Sequence, residues 1–290
     1  MDRARAGLPD LTGQRVLVTG ASGGIGGGIA RAFAAAGASV AVHYRGATEA
    51  SEAAALALVG ELEGAGAPAV PVRADLTLPD AAAELVSAAS SALGGLDGVV
   101  NNAGIQPLSP LAETGREQWD EVLGTNLGAV FELSREAASV MSAAATGEPA
   151  TGAGEQPSAA LAGPDAGGEA RRSRWITHIA SIEASRPAIA HAHYAAAKAG
   201  VVMHARAAAL ELGPLGIRVN TVSPGLVDRP GLAEAWPEGV ASWLSRAPLG
   251  RLVTPEDVGN ACVLLASPAA ACITGQDLAV DGGMLATPGW

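Results

Sequence analysis

The sequence predicts an α/β protein built on one doubly wound parallel sheet of seven strands, with helices on both faces. Two observations lead to this fold class. From Arg15 onward, short apolar runs alternate with longer Ala- and Leu-rich stretches of helical periodicity. The first apolar run ends in the glycine-rich turn TGASGGIGG, which opens into a helical segment. Any ligand is therefore expected at the carboxyl ends of the strands.

The elements follow one another in a regular order along the chain. The seven predicted strands are RVLVT, SVAVHY, PAVPVRAD, DGVVNNAG, RWITHIAS, IRVNTVSPG and DLAVDGG. Predicted helices lie in GIGGGIARAFAAAG and EAAALALVGEL, in one long stretch from about Thr114 to Ala144, and from Tyr194 to Leu212. The alternation never restarts, so residues 1–290 are predicted to form a single domain.

One segment interrupts this order. Residues 146–173 are rich in Gly, Ala and Pro and lack periodicity, so they bury too little apolar surface to offset the entropy of ordering them. We predict a flexible surface insertion between the long helix and the fifth strand. A lid or a partner-binding loop is the functional alternative for this segment.

The composition limits the partners of the chain. The formal net charge of −11 opposes binding to nucleic acid or to an anionic membrane surface. The sequence starts without an apolar targeting segment and has no run of about 18 apolar residues, so a cytoplasmic protein is predicted. Cys262 and Cys272 lie in an apolar stretch without metal-ligand spacing and are predicted to be reduced, buried thiols.

The turn after the first strand has the pattern T-G-x-x-x-G-x-G, formed by Thr19, Gly20, Gly24 and Gly26. Glycines allow close approach of the backbone, and the N–H groups at the start of the next helix suit a pyrophosphate. A tight turn without a ligand is the alternative, because glycine is abundant in this chain. The position between a first strand and a first helix favours a dinucleotide site.

The end of the second strand indicates which dinucleotide this is. An acidic residue there would pair with the ribose 2′-hydroxyl of NAD, but the segment VAVHYRG has none and places Arg45 at that point. A guanidinium suits a 2′-phosphate, so NADP(H) is predicted in preference to NAD(H). An ordinary solvated arginine on a loop is the alternative.

The stretch HAHYAAAKAG places Tyr194 and Lys198 four residues apart, on one face of a predicted helix. Lys198 is the only lysine of the chain, and Tyr194 is one of only two tyrosines. A free phenol has a pKa near 10, and an ammonium close to it lowers that pKa by about one to three units. The pair therefore predicts an acid–base centre.

These motifs together resemble the short-chain dehydrogenase/reductase family, in a form similar to 3-oxoacyl reductases and ketoreductases. The resemblance covers about residues 14–284 and rests on motifs in the family's order. They are the glycine turn, Asp75 in RADL, NNAG at 101–104, Asn126 in TNLGAV, Ser181 in HIASIEAS, Tyr194-x-x-x-Lys198, and SPG at 223–225. The resemblance implies a Rossmann-type fold and hydride transfer between a nicotinamide and a ketone or secondary alcohol.

The resemblance also implies a role for each matching catalytic position. Tyr194 would protonate the carbonyl oxygen, and Lys198 would supply the ammonium and bond the nicotinamide ribose. Ser181 would hold the substrate oxygen beside Tyr194. Asn126 would position a water that links Lys198 to solvent. Taken alone, Asn126 could equally cap or kink its helix, and Ser181 could simply end a strand.

A larger set of residues is expected from the resemblance to contact the cofactor. Asp75 would meet the adenine, NNAG would line the cofactor, and the backbone after Pro224 would meet the carboxamide. The full set is Gly20, Ser22, Gly23, Gly24, Ile25, Gly26, Tyr44, Arg45, Asp75, Leu76, Asn102, Ala103, Gly104, Tyr194, Lys198, Pro224, Gly225 and Val227. The family often has Thr five residues after the Pro, where this chain has Arg229, so the way in which the amide is held is open.

Substrate selection in the family falls mainly to the segment after the PG motif, which predicts a substrate-binding lid at residues 227–250. Trp236 and Trp243 lie seven residues apart there, on one face if the segment is helical. They offer a flat apolar surface to a substrate, or else they pack the lid onto its own domain. Glu183 and His193 are further candidates for the pocket wall.

Several alternatives remain at this level. His191 and His193 form an H-x-H pair that can bind zinc, although no third ligand has suggestive spacing and no metal is predicted. The predicted substrate is a free small ketone or its alcohol, polyketide-like or cyclic. The substrate alternatives are a 3-oxoacyl chain on an acidic carrier protein, which a net charge of −11 disfavours, and a sugar or another alcohol. A catalytically silent NADP-sensing protein is the non-enzyme alternative. By resemblance, the protein is expected to be a homotetramer.

Overall fold

The computed structural model describes residues 7–146 and 173–288. All seven predicted strands form, and they pair in parallel in the order β3-β2-β1-β4-β5-β6-β7. The predicted fold class is therefore confirmed, with the topological reversal between β1 and β4. The strands are β1 (Arg15–Val18), β2 (Ser39–Tyr44), β3 (Ala69–Arg73), β4 (Gly98–Asn101), β5 (Arg174–Ile179), β6 (Ile217–Pro224) and β7 (Asp277–Val280).

Helices cover both faces of the sheet because successive side chains of a strand point to opposite sides. On β1, Val16 and Val18 belong to one apolar cluster with the first, second and ninth helices, whereas Leu17 belongs to a second cluster with the third, fifth and sixth. The helices are α1 (Gly24–Ala35), α2 (Glu49–Gly64), α3 (Ala81–Leu93), α4 (Arg116–Leu123), α5 (Ala129–Thr146), α6 (Ala192–Leu212), α7 (Leu232–Ala235), α8 (Pro237–Arg246) and α9 (Pro255–Ala266).

The long helix predicted from about Thr114 to Ala144 is not continuous. It divides into α4 and α5, which are separated by a π-helical turn at Gly124–Gly128. Asn126 lies inside this turn, and its side-chain amide bonds the backbone of Ile105 instead of facing solvent. A π turn inserts an extra residue into the helical ladder and often marks a functional site. Helical periodicity alone does not reveal this insertion.

Close packing of α1 against α9 fixes the helix that follows the glycine turn. A side chain at Gly28 would overlap Pro255 at the start of α9, and one at Gly259 would lie 2.7 Å from the Ala32 Cβ. Beside them, the rings of Phe33 and Trp175 stack with centroids 5.2 Å apart. The small residues of α1 therefore allow α9 to pack closely against it.

Other expectations have different outcomes. Cys262 is buried as predicted, but Cys272 is exposed, because it follows α9 in a surface turn beside β7. Residues 147–172 of the predicted insertion lie outside the described residues. In the described ranges, no helix is long and apolar enough to cross a membrane, and no three His, Cys, Asp or Glu side chains form a group that could hold a metal ion.

Candidate active site

The glycine turn between β1 and α1 is built around backbone contacts that leave no room for side chains. Gly20 has φ +63°, and a Cβ there would lie 3.0 Å from the Ala103 Cα. A Cβ at Gly26 would overlap the carbonyl oxygen of Gly20 and lie 2.6 Å from the Asn102 Nδ2. These glycines therefore bring α1 close to the turn that follows β4.

The N-terminus of α1 is left free of side-chain caps. Its N-cap is Gly23, which offers no side chain to the helix, and the first turn has no acidic residue. The first N–H groups of a helix carry partial positive charge and attract a phosphate. The cradle formed by Ser22, Gly23, Gly24 and Ile25 therefore fits the pyrophosphate of a dinucleotide, with backbone N–H groups as the donors.

Thr19 joins the glycine turn to the NNAG segment after β4. Its Oγ1 accepts the backbone N–H groups of Asn102 at 2.8 Å and of Ala103 at 3.0 Å, and the Asn102 Nδ2 donates to the Thr19 carbonyl at 2.8 Å. His43 at the end of β2 accepts the N–H of Gly20 at 3.0 Å. Three strand ends are therefore locked together beneath the cradle, and sequence reasoning had not identified His43 as part of it.

A charged cluster lies at the ends of β2 and β3. The Arg45 Nε donates to Asp75 at 3.0 Å, and the other Asp75 oxygen accepts the N–H and hydroxyl of Thr77. Sequence reasoning missed Arg73, which pairs in register with Tyr44 and lies against Gly46. The paired strands bring this second guanidinium to the β2–α2 loop, next to the predicted Arg45.

Ser181, Tyr194 and Lys198 meet where β5 ends. Ser181 caps a single 3-10 turn after the strand, and Tyr194 and Lys198 lie on the first two turns of α6. The Lys198 Nζ donates to the Ile179 carbonyl at 2.7 Å and lies 5.6 Å from the centre of the Tyr194 ring. Lys198 is 5 % exposed, so almost the whole side chain is inside the protein.

Burial controls the protonation of this group. The pKa of Tyr194 is raised to about 12. Burial is the largest cause, the nearby charge of Glu183 also raises the pKa, and a hydrogen bond with Ser181 lowers it. Burial also lowers the pKa of Lys198 to about 8. Desolvation of the phenolate is the largest of these effects on Tyr194, and the lowering of its pKa by Lys198 stays a prediction from the sequence.

Asn126 reaches the same region from the π turn. Its Oδ1 accepts the N–H of Ile105 at 2.8 Å, and its Nδ2 donates to the Ile105 carbonyl at 2.7 Å. A Cβ on Gly104 would lie 2.7 Å from the Asn126 Oδ1, so the glycine of NNAG makes room for this amide. One lone pair and one N–H of the Asn126 amide therefore hold the loop after β4.

A buried polar group behind Lys198 was missed from the sequence. His178 on β5 is completely buried, accepts at Nδ1 from the Asn101 Nδ2 at 3.0 Å, and stacks on His204 with centroids 5.4 Å apart. Burial, together with the charges of His204 and Lys198, lowers the pKa of His178 to about 3. The ring is therefore neutral at ordinary pH, and only strand pairing and helix packing bring these residues together.

Of the predicted pocket residues, Glu183 lies near the reacting group. The Glu183 carboxylate binds His191 at 2.8 Å and the amide of Gln106 at 3.1 Å, and the His191 ring lies 5.9 Å from that of Tyr194. His193 is instead completely buried, and neither of its ring nitrogens has a partner among the described residues. The histidine next to Tyr194 in space is therefore His191.

The two tryptophans of the segment after β6 differ in burial and in backbone conformation. Trp243 on α8 is 9 % exposed and packs against Gly225, whose Cβ would lie 2.5 Å from the indole ring. Trp236 precedes α8 with non-helical backbone and is 52 % exposed. The two tryptophans would share one face only within a single helix, and Trp236 instead lies in the turn between α7 and α8. Pro224 ends β6, Val227 forms an isolated bridge with Val253, and Arg229 is exposed.

Comparison with known proteins agrees with this geometry. Residues 14–150 match the family model described as short chain dehydrogenase, and residues 167–285 match one described as enoyl-(acyl carrier protein) reductase. A 3beta-hydroxysteroid dehydrogenase of Eggerthella lenta is 36% identical over 283 residues, covering 97% of this chain and 97% of that protein. The chain belongs to the short-chain dehydrogenase/reductase family.

Two further family members are similar over nearly their whole length. A cis-4-hydroxycyclohexanecarboxylate dehydrogenase of Sinomonas cyclohexanicum is 36% identical and covers 93% of this chain and 96% of its own. The crystal structure of a putative gluconate 5-dehydrogenase from Beutenbergia cavernae with bound NADP has 34% identity and a TM-score of 0.79, covering 96% and 98% of the two chains.

Family membership settles the reaction class. As a short-chain dehydrogenase/reductase, the protein is an NAD(P)-dependent oxidoreductase that acts on CH–OH groups or the corresponding ketones. The uncapped N–H groups at the N-terminus of α1 fit the pyrophosphate of such a dinucleotide.

Proposed function

We propose that the protein is an NADP(H)-dependent reductase of a cyclic ketone or, in the reverse direction, a dehydrogenase of the ring alcohol. The convergence of Ser181, Tyr194 and Lys198 at the end of β5 carries this proposal. A phenol with a pKa of about 12 keeps its proton at neutral pH, and the adjacent ammonium stabilises the anion that forms when the proton leaves.

Each catalytic residue has one part in the proposed reaction. When bound, NADPH supplies the hydride. Tyr194 gives its hydroxyl proton to the substrate oxygen, and Ser181 holds that oxygen by a hydrogen bond. Lys198, as the ammonium, stabilises the phenolate, returns a proton to it and then regains one from solvent. Asn126 positions the water that links Lys198 to solvent, and one N–H and one lone pair of its amide hold the backbone of Ile105.

The preference for NADP(H) is supported by two arginines. Arg45 uses its Nε toward Asp75, which leaves its terminal nitrogens for a phosphate, and Arg73 lies against the same loop at Gly46. A dianionic 2′-phosphate beside two guanidiniums gains charge-assisted hydrogen bonds that a ribose hydroxyl does not. The related structure with bound NADP is consistent with this assignment.

A ring-containing substrate is supported by the surroundings of Tyr194 and by the relatives. Leu108 and Ile189 are 74% and 96% exposed, and the relatives include dehydrogenases named for a hydroxysteroid and a hydroxycyclohexanecarboxylate. We propose that residues 227–250 form the lid, with Trp236 as its apolar contact. The net charge of −11 disfavours an acidic carrier protein as partner.

We also propose that the protein assembles as a homotetramer. Phe131 on α5 and Met203 and Leu210 on α6 are all more than half exposed, which is costly for a free surface. Size-exclusion chromatography with light scattering measures the mass directly, and a monomer would contradict this assignment. The cytoplasmic location stays a prediction from the sequence.

The test is a screen of NADPH oxidation with cyclic ketones, an oxosteroid, a sugar and a 3-oxoacyl thioester, followed by Tyr194→Phe with the best substrate. We expect kcat to fall on the order of 10³-fold, because the ring remains while the proton donor is lost. The Kd for NADPH, measured by fluorescence titration, should change little. Near-normal turnover by this variant would contradict the proposed mechanism.

A further inference from the structure

A chain of three polar side chains lies beside Tyr194. The Gln106 Nε2 donates to one oxygen of Glu183 at 3.1 Å, and the other oxygen lies 2.8 Å from the His191 Nδ1. The side chains of His191 and Glu183 are only 13% and 14% exposed. The three residues come from the loop after β4, the turn after β5 and the start of α6, so this chain spans one side of the candidate active site.

The backbone around this chain is fixed. The backbone N–H of Glu183 donates to the Ser181 Oγ at 3.1 Å, so the backbone of Glu183 is tied to the predicted substrate-binding serine. Ala190, directly before His191, has φ +64°, a conformation that costs a non-glycine residue on the order of 1 kcal/mol. Its carbonyl accepts the N–H of Ser109 at 2.9 Å, which holds the strained residue in place.

The hydrogen-bonding state of His191 follows from its partner. A carboxylate oxygen only accepts, so the Nδ1 that faces Glu183 carries the hydrogen. In the neutral ring, Nε2 then has a free lone pair and accepts. This Nε2 is buried and has no partner within the described part of the chain. A buried ring nitrogen without a partner is costly, so a ligand that donates to it gains affinity.

The position of His191 indicates which ligand group that is. Its ring lies 5.9 Å from the ring of Tyr194, the proposed proton donor. A hydroxyl donates to an acceptor nitrogen, whereas a second carboxylate beside Glu183 meets like charge. The hydrogen bond from Ser109 to Ala190 joins the loop after β4 to the segment before α6. The exposed apolar residues Leu108 and Ile189 each lie next to one end of that bond.

We propose that the His191 Nε2 accepts a hydrogen bond from a second hydroxyl of the substrate, so that the enzyme selects hydroxylated ring ketones and their diols. Glu183 fixes the ring tautomer and Gln106 fixes the carboxylate, so both are positioning residues. This inference rests on the proposed function and adds the chemistry by which one ring alcohol is preferred over another.

Matched substrate pairs test the inference. Cyclohexanol and cyclohexane-1,2-diol are oxidised with NADP⁺, and cyclohexanone and 2-hydroxycyclohexanone are reduced with NADPH. We expect the hydroxylated member of each pair to have the higher kcat/KM, by about tenfold for one hydrogen bond to a buried group. The ratio within a pair cancels any general change in activity.

Two variants assign the preference to His191. His191→Phe keeps an aromatic ring without nitrogen and should bring the ratio near one. His191→Gln retains a side-chain oxygen that accepts a hydrogen bond, and should recover part of the preference for the hydroxylated substrate. A ratio near one in the unaltered enzyme, or an unchanged ratio in His191→Phe, would overturn the inference while leaving the proposed function intact.

A binding measurement keeps the inference testable without turnover. In the presence of NADP⁺, cyclohexane-1,2-diol should raise the Tm of the unaltered protein more than cyclohexanol does, and His191→Phe should remove that difference. If no alcohol or ketone of the screen is turned over, the proposed function fails, and the Tm difference alone then decides the inference. Equal Tm shifts with both alcohols would contradict it.

Discussion

The two sides of the site are built in different ways. On the cofactor side, the β1–α1 turn is made of backbone, and its shape depends on side chains being absent at Gly20 and Gly26. On the substrate side, the surface is made of buried polar side chains, among them Lys198 and Ser181, whose protonation and partners decide the chemistry. Steric changes should therefore damage the first side, and chemical changes the second.

The difference follows from what each side must bind. A pyrophosphate is the same in every dinucleotide and is held by N–H groups that all residues have, so only close approach has to be secured. A reacting carbonyl needs a proton donor and a stabilised anion, which only particular side chains supply. The following predictions test this contrast, starting with the largest expected effect.

Lys198→Arg tests whether the substrate side depends on more than charge. Arginine keeps the positive charge, but its planar fork does not fit where the Lys198 Nζ bonds the Ile179 carbonyl at 2.7 Å in a buried site. We expect kcat to fall on the order of 10³-fold, measured with saturating NADPH. Lys198→Met, which removes the charge and adds no bulk, should be equally inactive, and circular dichroism shows whether each variant is folded.

If Lys198→Arg retained a third or more of the normal kcat, a positive charge alone would suffice at this position. The contrast between the two sides would then be weaker than we infer. The rarity of lysine in this chain would also have no chemical reason.

Gly26→Ala tests the cofactor side with the smallest steric change. The new methyl group would overlap the Gly20 carbonyl, and strain of about 1–3 kcal/mol should raise the KM for NADPH about 10- to 100-fold. The matched control is Gly60→Ala, where a Cβ meets nothing within 4 Å on α2. That control should stabilise the protein by about 0.5–1 kcal/mol. Equal KM values for both variants would show that the turn tolerates side chains.

Arg45→Ala is the chemical change on the cofactor side. Loss of one charge-assisted contact to a 2′-phosphate should raise the KM for NADPH about 10- to 30-fold and leave the KM for NADH nearly unchanged. Steady-state kinetics with both cofactors measures the ratio. A parallel rise in both values would assign Arg45 to folding of the loop through Asp75 rather than to cofactor selection.

His178→Asn tests the buried histidine behind Lys198. The folded-state pKa of His178 is about 3, below its ordinary value near 6.5, so the unfolded chain binds the proton more readily. This group therefore lowers the free energy of unfolding as pH falls below about 6.5, by on the order of 1 kcal/mol at pH 5.5. Replacing it should flatten the pH dependence of stability between pH 7 and 5, measured by urea unfolding.

His43 shifts in the same direction because it is also buried, so part of the slope should persist in His178→Asn. The slope, rather than the absolute stability, is the readout, because a smaller side chain changes packing at every pH. An unchanged slope would mean that His178 accepts a proton in the folded state.

Much of the architecture could be predicted because its signals are local. All seven strands appeared as short apolar runs, and the spacing of Tyr194 and Lys198 places them on one face of α6. The glycine turn was recognisable since close backbone approach restricts which residues fit there. These features depend on residues close together in the sequence, so short stretches of sequence are enough to predict them.

Other features depend on residues far apart in the chain, and only the tertiary structure decided them. Gln106 and Glu183 are 77 positions apart, and Arg73 reaches the loop of Arg45 only because β2 and β3 pair. The raised pKa of Tyr194 comes from burial by the surrounding fold. The sequence by itself thus determined the fold class and the groups that we propose carry the chemistry, whereas packing decided which of them meet, because burial and contact are properties of the folded chain.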